Sequence, residues 1–186
     1  VEKFIIHDLN VQYTAKYNIV NWDKFDDYDN FLYLDSDAFV IKSLENVFEV
    51  INKRPSFIHG VKEKASINIT DSFFRLSNTK CKEGPAYNAG TFGFNKIQKN
   101  ILKELIAFIN ENYLHTICEQ PHFNEFLGCK KDLLIPSLSR YINLGGYNSL
   151  YSDINMVSVE NASIVHYLGG FGNPNNGNIK LNTVLN

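Results

Sequence analysis

Short apolar runs alternate along the chain with stretches in which apolar residues recur every three or four positions. The runs predict strands, and the recurring positions predict helices, most clearly over 98–113. The predicted strands are 4–9, 31–34, 38–41, 56–61, 91–95, 133–136 and 163–167, and the predicted helices are 12–21, a short helix after Ser43, 98–113 and a helix beginning near Glu119. This alternation predicts an α/β layered domain, and the 186 residues fit one domain over 1–186.

Composition and charge narrow the function classes. A net charge of -2 argues against a broad nucleic-acid-binding surface. No apolar stretch is long enough to cross a membrane, and the N-terminal residues lack the pattern of a signal peptide. The cysteines, Cys81, Cys118 and Cys129, are odd in number and widely spaced. They imply neither a zinc site nor a disulfide framework, so we expect a reduced, cytoplasmic compartment.

The segment 31–40 carries the strongest chemical signal. An apolar run ends in Asp35 and Asp37, and apolar residues resume at once. Residues two apart on an extended strand share one side, so both carboxylates face one spot. Their repulsion at about 5 Å and an effective dielectric near 20 is roughly 3 kcal/mol. A hard divalent cation would relieve it; a solvated Asp-Ser-Asp turn is the plain alternative.

Three further segments carry weaker signals. In 87–95, Asn88 precedes two small residues and then a strand, which also fits a simple turn. Glu119 and Gln120 open a predicted helix, where they could equally form a solvated cap. His166 ends an apolar strand that leads into glycines, and a histidine there is usually structural. Only the combination of these segments with the acidic pair points to a site.

The combination and its order resemble the nucleotide-sugar glycosyltransferases of the GT-A (Rossmann-like) fold, and family 8 in particular, the glycogenin and galactosyltransferase group. The matching stretches are YLDSD (33–37), NAG (88–90), EQPHFN (119–124) and HYLG (166–169). The stretch 13–22 is similar to the helix that precedes the metal motif in that family. The resemblance spans residues 13 to about 172, and it implies a mixed central sheet flanked by helices.

The resemblance implies a role for each matching residue. Asp35, Asp37 and His166 would hold a divalent metal, Mn²⁺ or Mg²⁺, together with the diphosphate of a UDP-sugar donor. Gln120, Glu119 and Asn88 would form the catalytic group around the sugar. The residues that would bind the donor are Lys16, Asp35, Ser36, Asn88, Ala89, Gly90 and Gly169. Transfer would retain the anomeric configuration, which requires positioning and leaving-group stabilisation rather than a strong protein nucleophile.

The chain departs from the family pattern at three points. Glu119 stands where the family usually has Asp, and Gly172 stands where a lysine is expected. The strand–helix–strand units that form most of the uracil and ribose pocket have no counterpart before residue 13. We therefore expect a segment of a longer protein that lacks part of the nucleotide-binding half.

Two alternative functions remain open. A haloacid dehalogenase-type phosphatase also places Asp-x-Asp after an apolar strand, although Phe39 stands where that motif wants Thr or Val. A degenerate, non-catalytic domain that binds a sugar nucleotide or glycan is the second alternative. For an active transferase, the acceptor would be a carbohydrate, a lipid-linked glycan or a protein. We expect the acceptor to contact the loops 62–85 and 136–155.

Overall fold

The computed structural model describes residues 12–63, 86–112, 119–145 and 157–167. The predicted strand 4–9 and most of the predicted loop 62–85 lie outside these residues. The strands are β1 (Asn30–Leu34), β2 (Ala38–Val40), β3 (Ile58–Glu63), β4 (Ala86–Asn95), β5 (Leu134–Ile135), β6 (Ile142–Gly145) and β7 (Ile164–Tyr167). The helices are α1 (Glu45–Lys53), α2 (Lys99–Asn112) and α3 (Gln120–Phe123), with 3₁₀ turns at Gln12–Asn21, Phe25–Asp27 and Lys96–Gln98 and a π-helical segment at Asn124–Lys130.

The strands form two mixed sheets. The first has the order β1-β4-β3-β5, in which β4 is antiparallel to both neighbours and β5 is parallel to β3. The second has the order β2-β7-β6, with β2 antiparallel and β6 parallel to β7. Because β1 belongs to one sheet and β2 to the other, the three residues between them lie where the two sheets meet. Those residues are Asp35, Ser36 and Asp37.

Strand β4 is the centre of the first sheet, and all of its residues are buried. A strand covered on both faces can be uniformly apolar or small rather than alternating. Phe92 and Phe94 pack into an aromatic cluster with Tyr17 from the first 3₁₀ helix and Phe123 from α3. Leu102, Leu105 and Ile109 of α2 bury the predicted apolar stripe in the same core. This packing fixes the strand that carries residues 88–90.

Most predicted elements are confirmed, with three differences. The predicted strand 91–95 begins at Ala86, so residues 86–90 are strand rather than turn. Strand β6 was not predicted, because its four residues lie in a segment assigned to a loop. The helix beginning at Gln120 continues as a π-helical segment after Phe123.

Cys129 is disulfide-bonded, which the spacing of the cysteines did not predict. The disulfide removes the premise from which a reduced compartment was inferred. Within the described ranges, no helix is long and apolar enough to cross a membrane.

Candidate active site

The acidic pair lies in the tight turn that joins β1 to β2. The Asp35 N–H donates to the Gly90 carbonyl at 2.8 Å, and the Asp35 carbonyl accepts from the Ala38 N–H at 3.0 Å. The Tyr33 hydroxyl donates to Asp35 Oδ1 at 2.6 Å. Burial and this hydrogen bond to a carboxylate both raise the pKa of Tyr33, so the phenol keeps its proton. The turn therefore holds Asp35 by its backbone and by its side chain.

Strand β7 brings His166 to the acidic pair, because His166 lies opposite Ala38 in the β2–β7 register. His166 Nε2 lies 3.1 Å from Asp37 Oδ1 and 3.9 Å from Asp35 Oδ2. His166 Nδ1 lies 3.1 Å from Thr91 Oγ1 on β4. Burial lowers the pKa of His166, against the opposing effect of the two aspartates.

These three side chains fit a divalent cation. One ligand atom from each of Asp35, Asp37 and His166 lies within 4.8 Å of the others. Two atoms bonded to one ion at about 2.1 Å can be at most about 4.2 Å apart, and both His166 distances fall below that limit. A neutral imidazole can bind through Nε2 while its Nδ1–H donates to Thr91, the usual support for a ligating histidine. The carboxylates remain partly exposed, so an ion and a further ligand can reach them.

Residues 88–90 lie where the register between β3 and β4 shifts. Val61 pairs with Asn88 and Gly60 pairs with Phe92, so the intervening residues of β4 have no partner on β3. Side chains accept hydrogen bonds from the backbone N–H groups that no longer pair with β3. The Ala89 N–H donates to Gln120 Oε1 at 2.9 Å, and the Gly90 N–H donates to Asn88 Oδ1 at 2.9 Å. The irregularity therefore joins the Asn88 segment to the start of α3.

The close approach of Asp35 and His166 leaves no room for a side chain at residue 90. A Cβ at this position would lie 2.5 Å from His166 Cε1 and 2.9 Å from Asp35 Cγ. Both separations are far below van der Waals contact. The absence of a side chain at residue 90 lets Asp35 and His166 approach each other over the β4 backbone.

A buried ion pair lies beside the acidic turn. The Lys16 ammonium contacts Glu119 Oε1, and it donates to the Ala89 carbonyl at 2.8 Å. The same ammonium lies 3.9 Å from Asp35 Oδ1. Only 9% of the Lys16 side chain and 5% of the Glu119 side chain are exposed. Lys16 therefore links the first helical segment, the β4 irregularity, α3 and the acidic pair.

The chain resembles known proteins both in its sequence family and in its fold. The model of the family described as glycosyl transferase family 8 matches residues 10–172. The chain belongs to glycosyl transferase family 8. The search of curated proteins returned no match.

Solved structures with the same fold include several glycosyltransferases. The galactosyltransferase LgtC, in complex with donor and acceptor sugar analogues, superposes with a TM-score of 0.60 at 17% identity, covering 87% of this chain and 62% of LgtC. A glycosyltransferase involved in glycosylation of the major capsid of PBCV-1 gives 0.56 at 15% identity, covering 88% of this chain and 75% of that one. Mouse xyloside xylosyltransferase 1 gives 0.55 at 13% identity, covering 88% and 64%. The GT-A fold is thereby confirmed, and the chain spans about 62% of LgtC's length.

The family 8 motif residues come together in the fold. Asp35, Asp37, Asn88, Glu119, Gln120 and His166 are joined through the contacts above. Lys16 joins the same group, and Ala89 and Gly90 contribute backbone groups to it. Ser36 is exposed in the turn between the two aspartates. Gly169 lies outside the described residues.

Glu63, at the end of β3, is a member of the site that the sequence did not reveal. Its side chain is buried, and Glu63 Oε1 accepts from Asn88 Nδ2 at 2.6 Å. Burial raises the pKa of Glu63 to about 7, against the opposing hydrogen bond from Asn88. Glu63 was overlooked because the predicted strand ended at residue 61 and residues 62–85 were assigned to a loop, whereas β3 continues to Glu63. The available signal was strand periodicity: residues two apart on a strand share one face, so Glu63 lies on the same face as the apolar Val61.

Two buried polar atoms around Asn88 have no hydrogen-bond partner among the described residues. They are Glu63 Oε2 and Gln120 Nε2. A buried polar group without a partner costs about 1–3 kcal/mol. An amide donor and a carboxyl oxygen together suit a ligand hydroxyl, which can both accept and donate.

Proposed function

We propose that this chain carries the catalytic site of a metal-dependent glycosyltransferase that moves a hexose from a UDP-sugar to a glycan or protein acceptor. The observation that supports the proposal best is the convergence of Asp35, Asp37 and His166 at ion-binding distances in a family 8 chain. LgtC was solved with donor and acceptor sugar analogues, which is consistent with this class of reaction.

The proposed metal ligands are Asp35, Asp37 and His166, and the proposed ion is Mn²⁺ or Mg²⁺. Once bound, the ion would neutralise the charge that develops on the diphosphate leaving group. Thr91 orients His166 by receiving the Nδ1–H, and Tyr33 orients Asp35. These contacts keep the ligand side chains in place before the donor arrives.

The proposed sugar-binding group lies along β4 and the start of α3. Gln120 Nε2 and Glu63 Oε2, which have no hydrogen-bond partner among the described residues, would bind the hydroxyls of the donor sugar. Asn88 positions Glu63, and Glu119 positions the Lys16 ammonium beside Asp35. Ser36, Ala89, Gly90 and Gly169 complete the proposed set of donor-binding positions. Such a group acts by orientation and charge rather than by covalent attack, and the family resemblance favours retention of configuration.

Donor hydrolysis tests this proposal. The chain is incubated with Mn²⁺ and UDP-glucose or UDP-galactose, and released UDP is measured with and without chelator. We expect chelator-sensitive release that Asp37→Asn reduces at least a hundredfold, while far-UV circular dichroism stays unchanged. If Mn²⁺ promotes binding of the UDP-sugar but no UDP is released from it, the non-catalytic alternative is favoured. Unchanged turnover in Asp37→Asn, or phosphate release from simple phosphomonoesters, would refute the proposal.

A further inference from the structure

A cavity of about 540 Å³ lies away from the proposed active site, between the end of α1 and the turn that follows β5. It is lined by Val50, Lys53, Arg54, Pro136, Ser137, Ser139 and Arg140. None of the family 8 motif residues contributes to its walls. Its volume falls within the range of small-molecule sites in proteins, about 300–1,000 Å³.

Positive charge dominates the walls of this basic cavity. Lys53 is paired with Glu49 at 3.3 Å, at an exposed position of α1. Arg54 and Arg140 have no carboxylate partner within the described ranges, and Arg140 lies over the Tyr141 ring at 5.0 Å. Among the described residues, three cationic side chains and no carboxylate line the cavity, in a chain whose net charge is -2. The local excess of charge attracts anions.

A buried histidine holds the two walls of the basic cavity together. His59 is fully buried; its Nε2 lies 3.0 Å from the Arg54 carbonyl and its Nδ1 lies 2.6 Å from Ser137 Oγ. A carbonyl can only accept, so Nε2 carries the hydrogen and Nδ1 accepts from the Ser137 hydroxyl. Burial lowers the pKa of His59, which keeps this neutral arrangement. The two arginine-bearing segments are therefore fixed relative to each other.

The basic cavity also presents a hydrogen-bond donor. Ser139 Oγ accepts from the Lys62 N–H at 2.9 Å; within the described ranges the Ser139 hydroxyl hydrogen has no acceptor, so a ligand can receive it. Guanidinium groups bind phosphate in a bidentate manner, more strongly than neutral donors do. Val50 and Pro136 supply apolar surface beside the charges, against which the carbon skeleton of a ligand can pack.

We propose that the basic cavity binds a phosphate monoester carried on a small, sugar-sized ligand. Arg54 and Arg140 bind the phosphate and Ser139 donates a hydrogen bond to it. The remaining volume holds the group to which the phosphate is attached. The site is independent of the proposed metal centre, with which it shares no residue.

Amide NMR of the ¹⁵N-labelled chain tests this assignment at constant ionic strength. Sodium phosphate, glucose 6-phosphate and glucose are titrated separately, with sodium chloride as the reference anion. We expect both phosphate probes to shift the amides of Arg54 and of residues 137–140 saturably, and glucose to leave them unchanged. Arg54→Ala and Arg140→Ala should each weaken glucose 6-phosphate binding about tenfold, which corresponds to one charge-assisted hydrogen bond of about 1.5 kcal/mol.

Two control variants separate the site from general charge effects and from the proposed function. Lys103→Ala removes an exposed cation from α2 and should leave glucose 6-phosphate binding unchanged. Asp37→Asn should also leave it unchanged, whatever happens to glycosyl transfer. Absent or non-saturable shifts, equal shifts from chloride or glucose, or equal weakening by Lys103→Ala would each overturn the assignment.

Discussion

The buried carboxyl of Glu63 gives the chain a pH-dependent stability that one substitution should remove. Burial raises the pKa of Glu63 to about 7, from an ordinary value of 4.5. Because the folded state holds this proton more tightly than the unfolded state does, the stability contribution is complete below pH 4.5. It declines as the pH rises through 7.

The size of this effect follows from the two pKa values. At about 1.4 kcal/mol for each pH unit between 4.5 and about 7, the native state loses about 3 kcal/mol, and the loss levels off above pH 7. Glu63→Gln replaces the protonated acid with an uncharged group of the same shape. Its Oε1 can still accept from Asn88 Nδ2, as the Glu63 carboxyl does.

Urea denaturation of the wild type and Glu63→Gln, measured between pH 4 and pH 8.5, tests this reasoning. The free energy of unfolding of the variant, relative to the wild type, should rise by about 3 kcal/mol across that range. Comparing the two proteins cancels the contributions of the other titrating groups. Glu45→Gln, at an exposed position of α1, is the matched control and should run parallel to the wild type. Parallel curves for Glu63→Gln would refute the assignment of a raised pKa to Glu63.

Three further predictions address the rest of the site. Gly90→Ala should lower the free energy of unfolding by about 1–3 kcal/mol and abolish Mn²⁺ binding measured by calorimetry. Gly128→Ala adds a Cβ in open space and should do neither. Equal effects of the two substitutions would refute the steric argument. His166→Ala should weaken Mn²⁺ binding about tenfold to a hundredfold, and an unchanged dissociation constant would exclude this ligand. Glu119→Gln should lower the free energy of unfolding, measured by urea denaturation, by about 3 kcal/mol because it removes the carboxylate that contacts the buried Lys16 ammonium. Adding Lys16→Met should recover part of that loss, and full additivity of the two substitutions would show that the charges are not coupled.

The sequence predicted that Asp35, Asp37 and His166 meet, but it did not predict the contacts around them. Asp35 and Asp37 follow an apolar strand, and His166 ends another, so strand ends alone bring acids and imidazole to one edge. The order of the matching motifs was sufficient to predict that these three side chains lie together. They meet because β2 pairs with β7, which sets His166 opposite Ala38, just after the acidic turn. No local sequence pattern encodes that pairing.

The features that the sequence left unpredicted depend on contacts between distant segments. Glu63 is buried, and Asn88 on the neighbouring strand donates a hydrogen bond to it, a contact between residues 25 positions apart. Lys16 and Glu119 were each assigned to the donor sugar, but the fold pairs them with each other. Gly90 has a steric role that the sequence did not reveal, because the side chains of Asp35 and His166 occupy the space that its Cβ would fill.

Strand β4 shows why local propensity failed at residues 86–90. Small residues and glycine favour a turn, so the strand was predicted to begin at 91. Burial on both faces by the aromatic cluster and the helices overrides that preference.

We infer that Asp35, Asp37 and His166 hold one divalent ion to which the donor diphosphate binds. Anomalous diffraction at the manganese edge, from crystals grown with Mn²⁺ and UDP, measures this directly. A single anomalous peak between the three side chains, with ligand distances between about 2.0 and 2.6 Å and contact to the UDP phosphates, is the predicted result. A peak elsewhere, or UDP bound with these side chains beyond ligand distance of any ion, would contradict the account.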